Sequence, residues 1–140
     1  MTEESTTPDL VELTQRLAEA ANARDFDVLT RLWARDGVWD MSVVGMGVFE
    51  GRGAIRALYE DWLGSYEAFE VEFEEVHDLG NGVAFSVVFQ RGRLPGSTGW
   101  IEVRYAVVAT WADGLIERGM GYSDIDEARA AAERLAQERG

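Results

Sequence analysis

Across residues 25–60 the stretch DFDVLTRLWARDGVWDMSVVGMGVFEGRGAIRALYE switches hydrophobic period twice, and that order constrains the fold more than any other part of the chain. Phe26, Leu29, Leu32 and Trp33 recur at helical spacing, and Asp36-Gly37 marks the expected end of that helix. Residues 38–44 then read as a short strand. Gly51, Arg52 and Gly53 break the chain, after which Ile55, Leu58, Tyr59 and Trp62 restore an apolar stripe on a further helix. The segment thus predicts helix, short strand, loop and helix.

Upstream, residues 1–8 read as a flexible lead, and Asp9 is placed to cap a helix with Leu10, Leu13, Leu17, Ala20 and Ala21 on one face. Downstream, Phe69, Val71 and Phe73 alternate with Glu70, Glu72 and Glu74, the period of a half-buried strand. Gly80-Asn81-Gly82 supplies the positive-φ residues of a hairpin, and Val83, Phe85, Val87 and Phe89 alternate with smaller or polar residues in the returning strand. A turn at 94–99, a strand over 100–111, the Asp113-Gly114 turn and a last strand over 115–124 follow. Asp124 or Asp126 then caps a closing helix that carries Ala128, Ala131, Ala132 and Leu135. Helices first and an antiparallel sheet afterwards is the α+β pattern.

A chain of 140 residues fits one domain with a single core, here over residues 9–140. Its 46% apolar residues, five Trp among them, are too many for a disordered segment. A formal charge of −13 opposes phosphate backbones and anionic lipid, so neither nucleic acid nor membrane is an expected partner. No apolar run approaches the roughly 20 residues of a spanning helix, and the first residues are polar and acidic, so a cytoplasmic setting is expected. Without cysteine there is no thiolate nucleophile or thiolate metal site, and without lysine no Schiff base.

Trp33, Asp36, Trp39, Phe49-Glu50-Gly51-Arg52 and Ile55 together resemble the SnoaL-like branch of the nuclear transport factor 2-like superfamily. The resemblance spans nearly the whole chain. It implies a cone, in which a strongly curved antiparallel (cystatin-like) sheet wraps over N-terminal helices around an interior pocket, with a C-terminal helix. Ketosteroid isomerases share that architecture, and alignment to them assigns strand faces. Inward are Trp39, Met41 and Val43, then Phe85, Val87 and Phe89, then Val103, Tyr105, Val107, Ala109 and Trp111, then Gly119, Gly121 and Ser123. Outward are Ala84, Ser86, Val88 and Gln90, then Glu102, Arg104, Ala106 and Val108, then Arg118, Met120 and Tyr122. Members commonly pair through the outer side of the sheet, which implies a homodimer.

Catalytic roles carried over from those relatives fall on residues unable to fill them. The ketosteroid isomerase Tyr, Asp base and oxyanion-site Asp land on Leu17, Met41 and Val107. The last-strand Asp of limonene epoxide hydrolases lands on Gly121. SnoaL cyclases use an Asp and a His inside the cone, which singles out Asp40 and His77: a one-residue slip in the first strand turns Asp40 inward, where burial raises its pKa toward that of a base. In the alternative, Asp40 is solvated or pairs with an Arg, and His77 sits near the rim.

Glu67, Glu70, Glu72, Glu74, Glu75 and Asp78 alternate across a strand without convergent geometry, so no metal site is expected. Gly45-Met46-Gly47 lacks the Lys and Ser/Thr of a phosphate loop, and Gly51-Arg52-Gly53 lacks dinucleotide spacing, so no cofactor is expected either. Arg104, in step with Glu102, reads as a surface ion pair. Trp39, Met41, Trp62, Phe85, Phe89 and Trp111 are then candidate pocket walls, with Tyr59, Tyr105 and Ser123 as hydrogen-bonding groups. Gly119 and Gly121 leave volume opposite the aromatic rings. Three functions stay open: a binder of a small apolar molecule, an acid/base enzyme with Asp40 as base, and a dimerisation module with a filled core.

Overall fold

A computed structural model describes residues 9–140, and the lead assigned to residues 1–8 lies outside the described residues. Asp9 caps α1 (Leu10–Asn22), its carboxylate accepting from the Val11 N–H at 2.9 Å, and Asp25 caps α2 (Phe26–Arg31) through the Val28 N–H. The helical stripe read as far as Trp33 stops at Arg31. Leu32 gives its carbonyl to the Ile116 N–H at 2.8 Å, which pulls Trp33 out of the helix and makes it the first residue of β1 (Trp33–Asp40). Tertiary pairing overrides local helical spacing here.

The strand expected over 38–44 also ends early, at Asp40. The Asp40 carboxylate accepts from both the N–H and the hydroxyl of Ser42, which folds the chain into a 3-10 turn over Ser42–Val44 and leaves Val43 exposed. Chain direction then reverses into β2 (Val48–Glu50), antiparallel to β1. Gly51, at φ 89°, sends its N–H to the Gly37 carbonyl at 2.7 Å, and Arg52 Nε donates to the Trp33 carbonyl at 2.8 Å. These two bonds tie the start of α3 (Arg52–Gly64) to β1 and account for the Phe49-Glu50-Gly51-Arg52 pattern.

Three hairpin-linked pairings follow along β3 (Ala68–Gly80), β4 (Val83–Arg93), β5 (Ile101–Ala112) and β6 (Leu115–Tyr122). The strand order is β2-β1-β6-β5-β4-β3. All neighbours are antiparallel except β1 and β6, which run parallel, so the sheet is mixed rather than wholly antiparallel. No hairpin joins β1 to β6, so no tight turn dictates their direction. At the β3 edge, the Asn22 side chain donates to the Val71 carbonyl and accepts its N–H, at 3.0 and 2.8 Å, completing one strand position with an amide from α1.

Two cores lie on opposite faces of this sheet. Helices α1, α2 and α3 cover the concave face with Leu13, Leu29, Ile55, Leu58 and Leu63 against Trp33, Trp39, Ala84, Val88 and Ala109. Helix α4 (Ile125–Arg139), capped by Asp124, lies on the other face with Ala128, Ala132 and Ala136 against Phe85, Val87, Ala106 and Val108. Residues 83–88 of β4 are therefore buried on both sides. Among the described residues no helix is long and apolar enough to cross a membrane.

The inward assignment of Phe85, Val87 and Phe89 is corrected by this arrangement. Ala84 pairs with Ala109, Ser86 with Val107 and Val88 with Tyr105, which puts the smaller residues of β4 inside and the phenylalanines outside. The alanine face of α4 approaches closely and needs large partners, and Phe85 and Val87 supply them. A bulge between Phe73 and Glu75 turns β3 over, so Glu75 and His77 face outward beside Phe85.

Candidate functional site

Between the concave face and helices α1 to α3 lies a cavity with about 90 Å³ open to the centres of water molecules. One wall is a run of aromatic rings. Trp33 and Trp39 stack with centroids 5.2 Å apart and planes 28° apart, Trp39 meets Tyr59 at 4.8 Å and Trp62 at 6.0 Å, and Trp62 meets Phe69 at 6.1 Å. Tyr105, Val107, Ala109 and Trp111 from β5 also line the cavity, with Met41, Ser86 and Gly119. Every lining residue is uncharged.

The glycines of β6 act otherwise than expected. A Cβ on Gly119 would lie 2.9 Å from Trp33 Cη2, and one on Gly121 would lie 2.8 Å from Met41 Sδ. The volume they release is filled by those two side chains, so the glycines admit the walls of the cavity rather than create its empty space.

Polar groups inside are few. Trp33 Nε1 donates to the Tyr59 hydroxyl at 3.1 Å, and the Tyr105 hydroxyl donates to Gln90 Oε1 at 3.1 Å. Burial pushes the Tyr59 phenol well above its ordinary value, only partly offset by the Trp33 bond. Burial does the same for Tyr105, helped by the neighbouring Tyr59 and Tyr66. Both stay protonated and neutral at physiological pH. The lining can enclose and orient an apolar molecule, and it holds no carboxylate or imidazole to take up a proton.

Of the residues singled out from sequence, Trp39, Met41, Tyr59, Trp62, Tyr105 and Trp111 line the cavity. Phe85 and Phe89 lie across the sheet from it, Phe85 under α4 and Phe89 beneath Arg104, whose guanidinium carbon is 4.9 Å from the ring centroid. Ser123 lies beyond the end of β6 and is exposed.

Asp40 also points away from the cavity. Trp39 pairs with Gly119 and Asp40 with Met120, so the one-residue slip is absent. Its carboxylate is bound by Ser42 and by Arg118 Nη2 at 2.7 Å. The Ser42 hydrogen bonds, followed by Arg118, hold its pKa below the usual carboxylate range, the reverse of what a base requires. His77 bonds Glu75 at 3.0 Å and stacks on Phe85, on the α4 side of the sheet. Neither is placed to act on a molecule in the cone. Arg104 pairs with Glu74 through both Nε and Nη2, at 2.6 and 2.9 Å, rather than with Glu102. Among the described residues no group of three or more acidic or histidine side chains converges as a metal site would require.

Sequence reasoning missed Ser86 as a lining residue and left Trp33, like the other indoles, between core and cavity; the structure puts Trp33 in the lining, on a strand rather than on the helix its spacing from Leu29 suggested. Ser86 was hidden by the size of its neighbours, although small residues at 84 and 86 opposite Ala109 were a usable sign of an inner face crowded by indoles.

Several solved structures share this fold. A hypothetical protein with a ketosteroid isomerase-like fold from Catenulispora acidiphila, in complex with trimethylamine, is 19% identical with a TM-score of 0.72, over 91% of this chain and 94% of that one. RV0760c from Mycobacterium tuberculosis, in complex with estradiol-17beta-hemisuccinate, is 20% identical with a TM-score of 0.70, over 83% and 94%. Bal32a, from a soil-derived mobile gene cassette, is 21% identical with a TM-score of 0.70, over 88% and 93%. A comparison with curated proteins finds no match. The family model described as SnoaL-like domain matches residues 14–119, and the chain belongs to that family.

Proposed function

We propose that this protein binds a small, neutral, apolar metabolite inside the cone. The observation that carries the reading is an uncharged cavity walled by Trp33, Trp39, Trp62 and Trp111 in a chain whose formal charge is −13. Charged groups abound on this protein, and none lines the cavity. Burying an ionised ligand there without a partner is costly, whereas apolar area gains about 25 cal/mol per Å². The 90 Å³ open to the centres of water molecules is far more than a single water needs, so the cavity is large enough to be a binding site for a small molecule. That two proteins of this fold have been solved with small organic molecules, trimethylamine and estradiol-17beta-hemisuccinate, supports binding of a small molecule, while the neutral and apolar character rests on the lining alone.

Pairing of two copies belongs to the proposal, on the part of the outer face that α4 leaves uncovered. Glu70, Glu72, Arg91, Glu102 and Arg104 there carry both signs of charge around Phe89, as a two-fold contact needs. A cytoplasmic setting, compatible with a cysteine-free chain, completes it.

Titration with indane, naphthalene and estradiol, followed through Trp fluorescence, tests the binding reading. A saturable change with at least one of them is expected. A flat response to all three means that the core is closed, and the protein is then an interaction module. Light scattering behind size exclusion tests pairing, with a monomer at micromolar concentration as the refuting result.

A further inference from the structure

Strand β5 outruns its neighbour. β6 ends at Tyr122, opposite Ala106, while β5 begins at Ile101, so on that side residues 101–105 have no strand beside them. Register decides which backbone groups this leaves over. The Trp111 N–H donates to the Gly82 carbonyl at 2.7 Å, and β4 and β5 pair without a bulge from Val83–Thr110 to Gly92–Ile101. Odd-numbered residues of β5 therefore bond to β4, and even-numbered ones turn their N–H and C=O the other way. Those of Glu102 and Arg104 meet no backbone partner among the described residues. Residues 101–104 are exposed, Val103 and Ile101 at 44% and 51%.

A free edge is a template for another strand, and proteins guard such edges. The outer edges of this sheet, β3 and β2, are guarded. β3 carries Glu70 and Glu72 on one face and gives one position to Asn22 of α1, and β2 is three residues long. A copy of β3 laid along β3 would set carboxylates against carboxylates. On β5 the signs differ: Glu102 and Arg104 lie two apart on one face with opposite charges, so an antiparallel copy sets each against its opposite. That order is complementary to itself, as a contact between identical chains requires.

We propose that two copies of this chain join along this edge, residues 102–104 of each running antiparallel about a two-fold axis at Val103. This rests on the pairing reading above and gives that contact its geometry: the sheets meet side by side and become one, instead of stacking. Glu102 of each copy exchanges backbone N–H···O bonds with Arg104 of the other. On the outer face the same residues pair by charge. Arg104 holds Glu74 through Nε and Nη2, which leaves Nη1 for the incoming Glu102. On the inner face the two Val103 side chains lie directly opposite each other and leave water.

The chain has no cysteine, so a single introduced one reports on proximity. Residues opposed at a non-hydrogen-bonded antiparallel position have Cα atoms about 4.5 Å apart, within the disulfide range of about 4.4–6.8 Å. In a glutathione buffer, Val103→Cys is expected to give a disulfide-linked dimer on a non-reducing gel at least about tenfold faster than Ile101→Cys, which is as exposed but has no copy of itself opposite. Sheets stacked by their outer faces would keep both Val103 side chains on far sides, out of reach. Equal rates for the two variants, or no linkage in either, overturn the edge contact, while a dimer seen by light scattering keeps the pairing reading. If the wild-type protein is a monomer at micromolar concentration, both fall. Glu102→Pro removes an N–H that β4 does not use, so that protein should keep its fold by circular dichroism and become a monomer. A folded Glu102→Pro dimer overturns the proposal.

Discussion

Phe85 distinguishes the two faces of the sheet better than any other residue, because sequence alternation puts its ring in the cavity and the structure puts it under α4. The ring is wholly buried, stacked on His77, with the Arg129 guanidinium carbon 4.8 Å from its centroid. Phe85→Ala forfeits about 2 kcal/mol of apolar transfer. It also leaves roughly 100 Å³ vacant, which adds about 2.4 kcal/mol at 24 cal/mol per Å³ if the site does not close. The alanine face of α4 is free to settle toward the gap, so the expected loss is about 3–4 kcal/mol, or a fall in Tm of roughly 10–20 °C. Ligand affinity, measured by fluorescence titration well below the new Tm, should change less than about twofold, because the backbone of β4 separates the ring from the cavity. Ser86→Val, one residue away and on the inner face, should do the opposite, changing affinity with a small change in Tm. A Phe85→Ala protein that keeps its Tm but loses or gains ligand affinity tenfold would refute the face assignment.

Gly119→Ala places a Cβ 2.9 Å from Trp33, a ring pinned by Trp39 and Tyr59, and should cost about 1–3 kcal/mol in a urea melt. Asn22→Ala removes both hydrogen bonds to Val71 and should lower stability by about 1–2 kcal/mol, with faster amide exchange at Val71 as its local signature. Asp40 has a depressed folded pKa, so its stabilisation is present above the unfolded value near about pH 4 and is lost as pH falls through the folded value. Asp40→Asn should therefore flatten the fall in stability on acidification below about pH 4, and leave ligand affinity at pH 7 unchanged because the carboxylate lies outside the cavity.

Local rules carried much of the architecture. The caps at Asp9 and Asp124, the stripe of α3 and the glycine hairpin at 80–82 all follow from side-chain chemistry within a few residues. The residues that escaped depend on distant partners. Trp33 leaves a helix because Ile116 claims the carbonyl before it, and His77 changes face because of a bulge three residues earlier at Glu74. In β4, alternation lost its meaning because both faces are apolar. Period two tells inside from outside only when one side meets water. The cavity's β5 wall was readable for the converse reason: Glu102 and Arg104 mark the solvent side of that strand and set the register of Tyr105, Val107 and Trp111.

Two indoles lying nearly parallel at 5.2 Å are close enough for their electronic transitions to couple. Trp33 and Trp39 should therefore give a split circular dichroism signal that neither ring gives alone, and a molecule entering beside them should alter it by changing the surroundings of the rings. The protein carries its own optical gauge of occupancy, so screening for what fills the cone needs neither a dye nor a label.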